Sequence, residues 1–566
     1  VLGRLSKLIK TVRPDGKEVD YLRYGSGHLH GMLLDKERIV DYERDDNHRE
    51  VKRHWAQDML QTTAYDAAGR LANQHTQSGK YVKKSILNRD YQYDGANQLI
   101  NIKDSRKGEL SYRYDPIGRL INAKGPLGEE TFSFDPAHNI LSKEHTASST
   151  AHHQTENTLP KNVSKVMGNL LRHISGSHFD YDQRGNLIKK ESAKGIQTFD
   201  WDGFNQMKST TFRGARAGSR LDTQYRYDVF GRRIGKRVVD VRTKEVLEQT
   251  LYDWDGLTIA SEDRIGEQLA VQAQIRKEAG SEKRKLSSEV QYLYEDGEFV
   301  PLVQYTNSAA VGLGYGSFGG GSGGAGSLGG GSKGVAPAVY HYVNDQIGTP
   351  QILMNADQEV VWEAQSKAWG DTVISAPVSD DGVINNHRFQ GQYFDAESEL
   401  HYNTFRYYDP EIGRFISLDP IGLWGGLNNY QYAPNPVEWV DPWGLENWGL
   451  LLTKAIGGPP DDMIRPHAHH IVFKGMYLHR PKLREQLIRS RNILSKYNID
   501  PVHDMRTLMW APNKGHSLEN AKRVADMLEE ADKKIQRDGG NPCEKCAQDR
   551  MIAELQRIGS EVFPNI

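Results

Sequence analysis

Tyr112-Arg113-Tyr114-Asp115-Pro116-Ile117-Gly118-Arg119-Leu120 holds in nine residues the pattern on which the fold turns. Tyr112 and Tyr114 alternate with Arg113, which puts both aromatics on one face of an extended strand. Asp115 and Gly118 suit the turn that follows, where positive φ is cheapest for Gly or Asn. Leu120 then opens a returning strand. The stretch reads as one β-hairpin.

Outward from it the same unit recurs. Copies stand at Tyr65-Asp66 with Gly69-Arg70-Leu71, at Tyr93-Asp94 with Asn97-Gln98-Leu99, and at Phe134-Asp135. Others stand at Tyr181-Asp182 with Gly185-Asn186-Leu187, at Trp201-Asp202, and at Tyr227-Asp228 with Gly231-Arg232. The starts step by 28, 21, 20, 47, 20 and 26 residues, so a degenerate copy is expected between Phe134 and Tyr181. One hairpin cannot bury its own face, so neighbours must stack into a continuous spiral sheet. Seven copies in one register argue against an ordinary sandwich with accidental Tyr-Asp pairs. The pattern resembles the YD repeats of the Rhs family over most of residues 1–300. That resemblance implies a hollow β-shell around a C-terminal toxin.

The bulk composition fits several domains. The chain has 566 residues, 37% hydrophobic and 26% charged, too long for one compact core. Its net charge of −2 averages unlike regions: Glu446–Ile566 carries 19 Lys+Arg against 16 Asp+Glu, leaving 53 against 58 elsewhere. The two cysteines, Cys543 and Cys546, build no disulfide framework, which suits folding in a reducing cytosol. As a zinc site they form only half of one, so a reduced helical pair is expected. No apolar run is long enough to span a bilayer, and no signal peptide is evident. The chain opens in mid-pattern at Val1-Leu2-Gly3 without Met and reads as a piece whose N-terminal part lies elsewhere. Between Gly312 and Gly334, 13 of 23 residues are Gly, which reads as a flexible insertion.

A second signature runs from Tyr340 to Leu445. It includes Asn344-Asp345-Gln346-Ile347-Gly348-Thr349-Pro350, Arg406-Tyr407-Tyr408-Asp409-Pro410 and Gly413-Arg414-Phe415. It closes on Asp419-Pro420-Ile421-Gly422-Leu423 and, 22 residues on, Asp441-Pro442-Trp443-Gly444-Leu445. By itself Asp-Pro-x-Gly only initiates a turn. The whole block resembles the Rhs core terminus, where paired aspartates cleave the chain after the second Leu. The resemblance implies an Asp419/Asp441 dyad, a scissile Leu445-Glu446 bond and an assisting Arg406. Two close carboxylates cannot both ionise, so one serves as acid while the other activates water.

Beyond Leu445 the periodicity turns helical. Pro481 opens one helix with Leu483, Leu487 and Leu494 on a face. Ser517 caps another through Ala521, Val524, Ala525, Leu528, Ala531 and Ile535, ended by Gly539-Gly540. A third follows Asn541-Pro542 through Met551, Ile552, Leu555 and Ile558. A short β element is expected around His470-Ile471-Val472-Phe473. Neutral imidazole is both the commonest metal ligand and the side chain best poised for proton transfer, so His467-Ala468-His469-His470 and Lys514-Gly515-His516-Ser517 draw attention. Ala468-His469-His470 resembles the AHH group of the HNH/endonuclease VII superfamily of ββα-metal nucleases. The resemblance implies His470 as general base, His469 and His516 as metal ligands, and one divalent ion, Mg²⁺ or Zn²⁺. The Asn of that family's pattern has no counterpart in Thr507–Pro512; Asn513 and Asp504 are the nearest polar side chains.

Charge agrees with a polyanionic substrate: Arg465–Arg523 carries 12 Lys+Arg and 4 Asp+Glu. Lys474, Arg480, Lys482, Arg484, Arg489 and Arg491 are the candidate phosphate contacts, against the plainer reading of a solvated helix face.

The expected architecture is multidomain. Residues 1–339 form an all-β YD-repeat spiral shell, 340–445 a self-cleaving core terminus, and 446–566 a mostly α-helical nuclease. The resemblance further implies a DNA substrate, a cognate immunity protein and a secretion adaptor or spike of the VgrG/PAAR type. It implies synthesis in a bacterial cytoplasm, type VI-like secretion and action in the target-cell cytoplasm. Two other readings stand: the same architecture acting on RNA, and a teneurin-like adhesion protein with an inactive toxin-like domain.

Overall fold

The structure is a computed structural model describing residues 8–13, 16–25, 27–56, 58–79, 83–146, 166–214, 220–266, 286–310, 338–375, 383–422, 428–445, 466–470, 472, 481–497, 499, 508–512, 517–538 and 545–562. It divides into two compact units, Val1–Glu446 and Asn447–Ile566.

In the first unit every strand of the two large sheets pairs antiparallel with the next in sequence. Thirteen strands run from Lys10–Val12 to Ile140–Thr146, and fifteen from His173–Ile174 to Thr372–Ile374. The repeats supply the turns. At Asp115 the carboxylate accepts from the amides of Ile117 and Arg119, and the backbone closes with Gly118 N–H on the Asp115 carbonyl. Gly118 has φ +84°, the conformation that L side chains resist. Asp66, Asp94, Asp135, Asp182, Asp202 and Asp228 make the same pair of bonds.

The aromatic before several of these Asp residues has its own task. Tyr114 Oη donates to the Leu99 carbonyl at 2.7 Å, where Leu99 is the first strand residue after the preceding turn. Trp201 reaches Leu187 and Tyr227 reaches Met207 in the same way. The Arg after the turn lies over the next aromatic, Arg70 on Tyr93 and Arg119 on Phe134. Each repeat is thus bonded to its neighbour, and the row of turns is a ladder.

The long step between Phe134 and Tyr181 coincides with the break between the two sheets. A two-stranded hairpin, Val166–Met167 with Leu170–Leu171, stands there. Three further turns of the same kind start at Asp45, Asp345 and Asn355. The Asp345 turn follows strand Ala338–Asn344, which pairs back to Pro301–Ala310. The sheet therefore crosses the expected 339/340 boundary without interruption, and residues up to Ile374 are shell strands. The Gly-rich stretch 312–334 lies outside the described residues.

The last part of this unit is a four-stranded sheet, Tyr393–Asp395, Leu400–Asn403, Arg406–Asp409 and Arg414–Phe415. It packs on both large sheets. Tyr402, Tyr407, Ile412 and Ile416 share one apolar core with Leu99, Leu120, Leu187 and Tyr225. Arg233 and Asp395, both fully buried, pair across this contact, as do Lys190 and Asp409 at 2.7 Å.

The second unit has its own apolar core around helices α1 (Pro481–Lys496), α2 (Leu518–Arg537) and α3 (Lys545–Val562). Leu483, Leu487, Leu494, Leu528, Met551 and Leu555 are buried, as the periodicity requires. Ser517 caps α2, accepting from Asn520 N–H at 3.0 Å. The β element lies earlier than expected: the strand is Pro466–His470, paired with Leu508–Pro512, and Val472 instead joins the helical core.

Candidate active sites

Asp419 and Asp441 are 22 residues apart in sequence and meet on one guanidinium. Arg406 Nη2 stands 3.1 Å from Asp419 Oδ2 and 3.2 Å from Asp441 Oδ2. All three side chains are almost wholly buried, and the Arg406 guanidinium lies over the Phe415 ring at 3.6 Å. Arg406 Nη1 donates to the Asn429 carbonyl, which also accepts from the Asp419 amide, so one carbonyl ties the arginine to its acid.

Both ends of one peptide bond are held here. Arg406 Nε donates to the Gly444 carbonyl, and Leu445 N–H donates to Asp441 Oδ1 at 2.9 Å. Asn403 Nδ2 fixes the Asp441 carbonyl at 2.9 Å. Burial pushes Asp441 up to about 6; Arg406 and the Leu445 amide oppose that rise, and Asp419 adds to it. Asp441 therefore holds its proton to a higher pH than an ordinary carboxyl, beside a second buried acid. Glu446, the far side of the expected scissile bond, lies outside the described residues.

Close approach makes this geometry. Gly444 has φ +67°, and a Cβ there would stand 2.5 Å from the Asn403 carbonyl oxygen. Gly391 presses on Pro442 more tightly still. Asn403, Asn429 and Gly391 were not singled out from sequence. Asn403 and Gly391 carry no motif of their own, and Asn429 acts through its backbone.

In the second unit the strand register sets Ala468 opposite Trp510, His469 opposite Met509 and His470 opposite Leu508. His469 and His470 are consecutive residues of that strand. Their side chains, and that of Arg484, lie outside the described set, as do His516, Lys474 and Arg480. Among the described residues no group of three or more His, Cys, Asp or Glu is placed to hold a metal ion. Lys482 is exposed on α1, and Arg491 is half-buried. Arg489 is engaged with α2, 2.7 Å from Glu529 and 2.9 Å from Asp526.

Comparison with known proteins identifies the first unit. The family described as "RHS protein" matches residues 339–375, and "Teneurin YD-shell" matches 31–247. The double-stranded DNA deaminase toxin A of Burkholderia cenocepacia is 33% identical over 473 residues, covering 81% of this chain and 29% of that protein. The chain belongs to the Rhs family of YD-repeat proteins. Toxin protein Tse5 of Pseudomonas aeruginosa is 31% identical, covering 76% of this chain and 32% of its own length. Probable deoxyribonuclease RhsA of Dickeya dadantii is 30% identical, covering 76% and 26%. The chain spans under a third of the length of these relatives. Among solved structures, the Tc holotoxin pore of Photorhabdus luminescens superposes with a TM-score of 0.60 at 18% identity, over 78% of this chain and 21% of that one. That likeness concerns the fold and agrees with a β-shell.

Proposed function

We propose that this chain is the shell-and-payload portion of an antibacterial Rhs effector. Its C-terminal unit hydrolyses DNA phosphodiesters with a divalent metal ion, and the Asp419/Asp441 pair frees it by cutting the chain after Leu445. The observation that carries this reading is the buried Arg406 guanidinium bridging both aspartates at the end of the shell, beside an amide held from both sides. In the cleavage step the protonated carboxyl hydrogen-bonds the scissile carbonyl. The ionised one takes a proton from the attacking water, and the leaving amine collects a proton as the bond breaks. Arg406 holds the ionised partner and keeps the pair oriented.

The payload chemistry rests on the histidine motif and not on the relatives. Those relatives are named for a DNA deaminase in one case and a deoxyribonuclease in another. Their matched lengths of 473 and 447 residues are close to the size of Val1–Glu446. In the payload, His469 and His516 would hold the metal, which supplies Lewis-acid stabilisation of charge on phosphate, while His470 accepts the proton of the attacking water. Lys482 and its basic neighbours draw in the polyanion. Delivery through a secretion spike, and neutralisation by an immunity protein, belong to the same proposal and are supported by the toxin relatives.

The test is plasmid cleavage by Glu446–Ile566, a unit with a core of its own, with Mg²⁺ or Zn²⁺. Nicking that disappears with EDTA and with His470→Ala is expected. Cleavage of RNA alone under the same conditions would keep the architecture and change the substrate. Silence on both would remove the nuclease reading.

A further inference from the structure

The fifteen-stranded sheet begins with a tight hairpin, His173–Ile174 and Ser177–Tyr181, turning through Ser175 and Gly176, both at positive φ. His173 and His178 are register partners across it. Their Nδ1 atoms face each other at 3.2 Å, with ring centres 4.5 Å apart and planes inclined at 39°. Neither residue belongs to the shell core, the cleavage site or the nuclease motif.

The tautomer of His178 is set from behind. Its Nε2 lies 3.1 Å from Asp180 Oδ1, a carboxylate on the same face two residues on. A carboxylate there accepts a hydrogen bond from Nε2–H, which leaves Nδ1 as the unprotonated ring nitrogen on the His173 side. Burial, with His178 and Arg172 alongside, holds His173 below the usual imidazole range. The two rings present adjacent Nδ1 atoms.

A plain hydrogen bond between the rings accounts for this geometry poorly. A linear N–H···N bond of the observed length would separate the ring centres by about 5.5 Å. The rings are a full ångström closer, so they lie obliquely to the N···N line. Two metal–nitrogen bonds of about 2.1 Å closing on that 3.2 Å separation subtend roughly 100°, an angle that tetrahedral and octahedral ions both accept.

We propose that His173 and His178 form a two-nitrogen site for a borderline divalent transition ion such as Zn²⁺, Ni²⁺ or Cu²⁺, with Asp180 as the orienting carboxylate and water in the remaining positions. Imidazole donors favour these ions over Mg²⁺ or Ca²⁺. His178 and Asp180 are each about two-fifths exposed, which leaves room for water ligands. Glu191, the register partner of His178 on its other side, pairs with Lys189 at 2.8 Å. Arg172 is the opposing charge; it lies over the Tyr181 ring. The ion would pin the edge hairpin of the second sheet, whose Ser175 hydroxyl touches the Lys143 carbonyl in the last strand of the first.

The test is equilibrium dialysis and calorimetry of the full chain with Zn²⁺ or Ni²⁺ alone near neutral pH. His469→Ala and His516→Ala are included to silence the candidate payload ligands. One bound equivalent is expected to remain. Either His173→Gln or His178→Gln should remove it, and Asp180→Asn should weaken it by about 10-fold. With Cu²⁺, electron paramagnetic resonance should show coupling to two nitrogens, falling to one in each single variant. Circular dichroism of the variants should match the parent, because these side chains are outside the core. Binding undiminished by removal of either histidine would overturn the proposal, as would no bound equivalent in the silenced chain.

Discussion

Gly391 offers a way to disturb self-cleavage without touching any group that performs it. It sits at φ +78°, and a Cβ built there would stand 1.8 Å from the Pro442 carbonyl oxygen and 2.6 Å from its carbon. Non-bonded heavy atoms settle at about 3.5 Å, so in Gly391→Ala the Pro442 peptide must retreat by more than about 1 Å. Pro442 directly follows Asp441, and the retreat carries Asp441 and the Gly444–Leu445 amide off Arg406. Misplacing a reacting group by about 1 Å costs about 100-fold in rate, so cleavage should slow by at least that factor. The alanine also meets the left-handed backbone penalty of about 1–2 kcal/mol. Gly256→Ala carries that penalty alone, since Gly256 is at φ +60° with nothing within 4 Å of a Cβ. The assay follows the appearance of the C-terminal fragment by gel and intact mass after expression, with thermal unfolding of both variants. Gly256→Ala should cleave like the parent and Gly391→Ala should accumulate full-length chain. A folded Gly391→Ala that cleaves at the parent rate would refute the geometry. Equal slowing in Gly256→Ala would assign the effect to backbone strain.

Other consequences are as specific. Asp441 is raised to about 6, so its proton is present below that pH and is lost as pH rises through it. The stability linked to this proton is therefore complete below the unfolded value of about 3.9 and lost through pH 6. If the protonated carboxyl is the acid, cleavage by a slowed variant should fall about tenfold per pH unit above 6 in a pH-jump time course. Asp228→Ala removes the acceptor of the Phe230 and Arg232 amides and should lower stability by about 1–2 kcal/mol in urea denaturation of the full chain. Lys482→Ala should reduce the log–log salt slope of plasmid binding by about one. Arg489→Ala should move that slope less, because Glu529 and Asp526 already hold the guanidinium.

The shell was legible because its rules are local. Asp115, Gly118 and the aromatic before them state the turn, the positive φ and the tie to the preceding repeat within a few residues. The turns at Asp45 and Asn355 escaped notice because neither has an aromatic immediately before it, and Asp345 was absorbed into the core-terminus block. Helices α1 to α3 were legible from the period of Leu483, Leu487, Ala521, Leu528 and Leu555. The strand Pro466–His470 was placed four residues late because Ile471-Val472-Phe473 is the more apolar stretch, yet Val472 is needed by the helices. At the cleavage site the motif named Asp419, Asp441 and Arg406, but the carbonyl of Asn429, the amide of Asn403 and the closeness of Gly391 arise only from the packing of distant segments. The His173–His178 pair was invisible for the same reason: five residues of spacing mean nothing until a two-residue turn sets them opposite each other.

The most direct test of the account is the N-terminal sequence and intact mass of the C-terminal fragment from purified chain, compared with Asp441→Asn and Asp419→Asn. The account requires a fragment beginning at Glu446 in the parent and none in either variant. A fragment beginning at Leu445 would move the chemistry to the amide that Arg406 and Asp441 hold in this structure. A single intact chain in the parent, or equal cleavage in all three proteins, would contradict the account.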